Sequence, residues 1–80
     1  MESIPTMQLS SVPSGKQVQI VDIEAGWGLQ RRLADMGLTP GLNVTVIGSQ
    51  RPGSMVLDVR GSRLALGRGI SHKILVRTLD

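Results

Sequence analysis

The chain has 80 residues, a net charge of +3 from nine Lys and Arg against six Asp and Glu, no cysteine, and Trp27 as its single aromatic. That length allows one domain with a modest core. The missing thiols exclude a disulfide framework and a thiolate metal site, so the core has to be aliphatic.

Residues 1–7 read as a flexible tail, with a docking segment starting near Leu9. The opening "MESIPTMQLSS" lacks the basic and apolar regions of a secretory signal, and no run approaches the roughly 18 apolar residues of a membrane span. A cytoplasmic location is therefore expected, with recruitment to the inner face of the membrane only through a partner. Pro13-Ser14-Gly15-Lys16 is a turn signal. "KQVQIVDIE", Lys16 to Glu24, alternates as a strand, with Val18 and Ile20 on one face and Val21 and Ile23 on the other. Apolar groups on both faces suit a strand that curls round a barrel.

Ala25-Gly26-Trp27-Gly28 reads as a loop, and a helix is predicted over about residues 28–36. Leu29, Leu33 and Met36 follow the i, i+4, i+7 rule for one helical face, while Gln30, Arg31 and Asp35 face away. The stop is written as Gly37-Leu38-Thr39-Pro40-Gly41. With Gly37 left-handed just past the helix, Leu33 and Leu38 touch in a Schellman motif, and Pro40-Gly41 fits the centre of a type II turn. So short a helix needs an apolar surface to cover, and the open end of a barrel supplies one.

Strands follow at Leu42 to Ser49, with Leu42, Val44 and Val46 on one face, and at Ser54 to Arg60, with Met55, Leu57 and Val59 inward. Gln50 to Gly53 reads as the loop between them. Gly61-Ser62 is expected as a tight type I′ or II′ turn leading into Arg63 to Leu66. Gly67 to His72 forms a break with one 3₁₀ turn, and Lys73 to Thr78 closes the set. The chain is thus one mainly β domain over residues 1–80: about five antiparallel strands in a small barrel, with one helix across it.

The succession "GLQRRLADMGLTPG", "NVTVI" and "VRGSRLALGRGISHKILV" resembles the FeoA family, small cytosolic partners of the ferrous-iron transporter FeoB. The resemblance spans roughly Met7 to Arg77. Its most specific parts are the arginine-bearing helix with its glycine stop, and Arg60-Gly61 followed by Leu64-Ala65-Leu66 and Ile74-Leu75-Val76. It implies an SH3-like barrel and a non-enzymatic role in iron uptake beside FeoB, through its GTP-binding region or a membrane-proximal part. The same module forms the C-terminal domain of iron-dependent repressors. Ser71 stands where the family commonly has Ala.

The candidate partner-binding residues are Trp27, Arg31 and Arg32. Paired arginines suit ionic contact with a partner or an arginine finger; the competing reading is a solvated face, with Arg32 laying its stem along the barrel rim. Trp27 is either an interface anchor or a lid over the barrel end, and the lid is slightly preferred. His72 is the sole imidazole and lacks nearby ligands, so no metal site is assigned. No tightly bound cofactor is expected, only transient ferrous iron or adventitious zinc. With one His and no Cys there is no catalytic set, and the chain is read as no enzyme. "GWG" and "GRG" lack the context of a phosphate loop.

Two functions follow: a protein-interaction module docking on FeoB, or a small barrel binding RNA or sensing a transition metal. The strands carry no stacking aromatics, which disfavours nucleic acid. A monomer or weak homo-oligomer is expected.

Overall fold

The computed structural model describes residues 5–48 and 53–79. The elements run β1 (Met7–Gln8), a 3₁₀ turn (Leu9–Ser11), β2 (Gln17–Ile23), α1 (Trp27–Asp35), β3 (Asn43–Gly48), β4 (Ser54–Val59), β5 (Ser62–Gly67), α2 (Arg68–Ser71) and β6 (Ile74–Thr78). The strands among the described residues form one antiparallel sheet in the order β1-β6-β2-β3-β4-β5. The sheet curls on itself, and α2 packs against β5, β4 and the 3₁₀ turn that follows β1. This is the small β barrel read from the sequence, with one strand more. Met7 and Gln8 pair with Val76 and Leu75, so the stretch expected as a tail ends in β1; a two-residue strand is too short to show a period.

Alternation builds the core. Val18, Ile20, Val44, Val46, Leu57, Leu66, Ile74 and Val76 are buried together, joined by Leu9 and Val12 from the N-terminal segment. The expected opposition of Ile20 and Ile23 does not occur. In β2 the pairing with β6 runs Ile20 to Val76, then Asp22 to Leu75 and Ile23 to Ile74, so Val21 is an extra residue. This bulge resets the alternation, and Ile20 and Ile23 are both buried.

The helix stop folds as its sequence dictates. Gly37 has φ +88°, its N–H donates to the Ala34 carbonyl at 2.9 Å, and the Leu38 N–H donates to Leu33 at 2.8 Å. These are the paired bonds of a Schellman cap. Leu42 N–H donates to Thr39 at 3.2 Å and Gly41 has φ +95°, which closes the type II turn around Pro40. Gly41 then donates to Ile20, and Ile20 to Leu42, bringing the chain back beside β2. Leu33 and Leu38 are fully buried and Leu29 packs on the core, but Met36 is exposed rather than continuing the apolar stripe. It is the residue that caps α1, where the chain leaves the helical path.

Three boundaries move. α1 begins at Trp27, inside the stretch read as a loop. α2 is a four-residue α-helix in place of the 3₁₀ turn. The turn between β4 and β5 is Arg60-Gly61, one residue earlier than expected: Val59 pairs with Ser62, and φ is +54° at Arg60 and +86° at Gly61. Two positive φ values define a type I′ turn. The Gly61 N–H donates to Asp58 Oδ1 at 2.8 Å. The loop expected at Gln50 to Gly53 lies outside the described residues except for Gly53.

Candidate partner-binding site

The three residues singled out lie on α1, whose inner face is set by Leu29 and Leu33. A rotation of 100° per residue places Trp27 and Arg31 within about 40° of each other, on the side away from Leu33. Trp27 is 73% exposed, and the Arg31 guanidinium carbon lies 5.2 Å from its ring centroid. The indole therefore does not seal the barrel, as the preferred sequence reading had it. It stands in solvent with a cation over its face, an arrangement that presents both a flat apolar surface and a fixed positive charge. Among the described residues no ion pair joins Arg31 to Asp35. Arg32 is exposed and points about 100° further round, so the structure brings Trp27 and Arg31 together and leaves Arg32 apart.

Gln30 holds this end of the helix. Its side-chain amide donates to the carbonyls of Ile23 at 3.2 Å and Ala25 at 2.8 Å. Gly26 precedes the helix with no side-chain cap, and the glutamine ties the first turns of α1 to the segment that enters it, without accepting any of the free N–H groups. Reading it only as outward-facing missed this; a Gln four residues past an uncapped start was the available signal.

A second surface lies at the other end of α1. Met36 and Gly37 form one wall of a groove of about 310 Å³, and Val59, Arg60, Ser62, Arg63 and Leu64 of the β4–β5 hairpin form the other. Val59 and Leu64 are half-buried and pack against the core beneath; Met36 is 45% exposed. The sequence reading placed Met36 inward, on the stripe of Leu29 and Leu33, and did not join it to the hairpin. Their meeting depends on tertiary structure, which no local spacing reports.

His72 Nδ1 lies 3.3 Å from Ser10 Oγ, across 62 residues of sequence. Among the described residues no group of three or more His, Cys, Asp or Glu converges. No helix of the described residues is long and apolar enough to cross a membrane. Ser71 is buried, and its hydroxyl donates to the Arg68 carbonyl at 3.2 Å.

Residues 7–78 match the FeoA domain family. The chain belongs to the FeoA family. It is 37% identical over 72 residues to the "Putative Fe(2+) transport protein A" of Methanocaldococcus jannaschii, covering 90% of this chain and 87% of that one. Its fold superposes on a crystal structure of an iron uptake regulatory protein (FeoA) with a TM-score of 0.85 and 33% identity, over 94% of this chain and all of the other. A manganese-dependent transcriptional repressor shares the fold at 20% identity and a TM-score of 0.87, over 98% of this chain and 44% of the repressor. The FeoA family is associated with Fe(2+) transport, and the SH3-like barrel implied by the sequence resemblance is the fold observed.

Proposed function

We propose that this protein is a non-enzymatic interaction module of ferrous-iron uptake, docking on the cytosolic part of a FeoB-type transporter. The observation that carries this reading is the Trp27–Arg31 pair. The chain's single indole is exposed, and Trp and Arg are the residue types that dominate binding energy at protein interfaces. Family membership supplies the link to ferrous-iron transport. Titration of the purified chain against full-length FeoB of the same genome, with and without guanine nucleotide, tests the proposal. Saturable binding weakened by Trp27→Ala supports it; no binding at high concentration in either state overturns it.

A further inference from the structure

We infer that the groove between the C-terminal end of α1 and the β4–β5 hairpin takes an extended, acidic peptide segment of a protein partner, with one aliphatic side chain as its anchor. Given the docking role above, that segment belongs to the transporter.

The floor sets the anchor. Met36, Val59 and Leu64 present apolar surface at the barrel mouth, with room for an aliphatic side chain, and an unbranched thioether adapts to what packs on it. The rim sets the charge. Arg60 and Arg63 are exposed on the hairpin wall. Asp58 stands opposite Arg63 across the ladder, but its carboxylate accepts the Gly61 N–H, and no ion pair joins the two. The hairpin thus offers two full positive charges against one negative. At the α1 terminus the exposed Asp35 carboxylate opposes an acidic ligand and the exposed Arg32 of the same turn offsets it, which leaves the helix end itself. Its partial negative charge is about half a unit, and the Leu33 and Ala34 carbonyls are already bonded within the cap.

The sheet edge sets the conformation. β5 is the last strand in the sheet order, so among the described residues its outer backbone groups have no strand partner. An added strand would alternate side chains into and out of the groove. Arg60 supplies an independent sign of use. A type I′ turn favours Asn or Gly at that position, yet an arginine is held there at φ +54°. Strained non-glycine residues gather at functional sites, and a rim cation for a ligand carboxylate is a use that Asn or Gly does not serve.

The double variant Arg60→Asn with Arg63→Glu tests this, since Asn suits the turn and keeps the hairpin folded. If the full chain binds FeoB, the variant should lose at least about tenfold in affinity, as expected for rim charges facing carboxylates, and the parent's affinity should fall as salt rises. Unchanged affinity overturns the groove assignment while FeoB docking stands. If FeoB does not bind at all, docking on it fails and a short peptide alternating Glu and Leu decides the groove by amide chemical-shift mapping. Shifts at Gly37, Arg60, Arg63 and Leu64, absent with an alternating Lys and Leu peptide, sustain it; their absence, or the same shifts with oligouridylate RNA, overturns it.

Discussion

The backbone N–H of Leu38 meets the carbonyl of Leu33 at 2.8 Å, and both side chains are shut in the core. The bond requires Gly37 at φ +88°, where an added Cβ would meet nothing within 4 Å. Gly37→Ala should therefore lose stability through backbone strain alone, about 1–2 kcal/mol, and Gly37→Asn should lose less, because Asn tolerates the left-handed region. Urea midpoints at constant m-value are the check.

Arg60→Asn should raise stability. Relieving a left-handed arginine in a turn that favours Asn-Gly is worth about 0.5–1 kcal/mol, without the extra unfolded-state entropy that glycine brings. A higher urea midpoint together with weaker partner binding would show strain retained for function. A lower midpoint would refute the strain argument.

Trp27→Ala should leave the fold almost untouched. The exposed stack on Arg31 is worth about 0.5–1 kcal/mol, at or just above the roughly 0.5 kcal/mol of ordinary surface substitutions. In the parent chain the indole should emit like a fully hydrated tryptophan and be readily quenched by acrylamide. Emission typical of a buried ring would contradict the exposure described above.

Ser71→Ala should be close to neutral, within about 0.5 kcal/mol. The hydroxyl's only described acceptor, the Arg68 carbonyl, also accepts the His72 N–H at 2.9 Å, so it is not orphaned by the change. Thermal unfolding of the variant measures this. A loss beyond about 1 kcal/mol would mean that the hydroxyl has a further role in packing α2.

Much of the fold was legible because its signals are local. The run from Gly37 to Gly41 specifies a cap and a turn through backbone conformations that glycine and proline alone impose, and the strands announced themselves by alternation. What stayed hidden was set by distant partners. The extra residue at Val21 showed only as apolar groups on both faces of β2, and the type I′ turn was displaced because arginine is not a turn-former. In the candidate site, the same residue types recommended Trp27, Arg31 and Arg32, but only coordinates separate a lid from an exposed stack. The groove joins Met36 to Leu64 across the fold, a relation that no window of sequence contains.

The bulge at Val21 makes the placement of the helix a matter of parity. Inward residues in β2 fall at 18, 20 and 23, two steps and then three. The same β2 paired without the bulge would take Val21 into the ladder, turn Ile23 to water, and send the segment leaving the strand from the opposite face. The capped helix would then emerge with Leu33 directed away from the barrel, although every residue of the helix itself was unchanged. One unpaired position in a strand thus decides whether the lid finds its vessel.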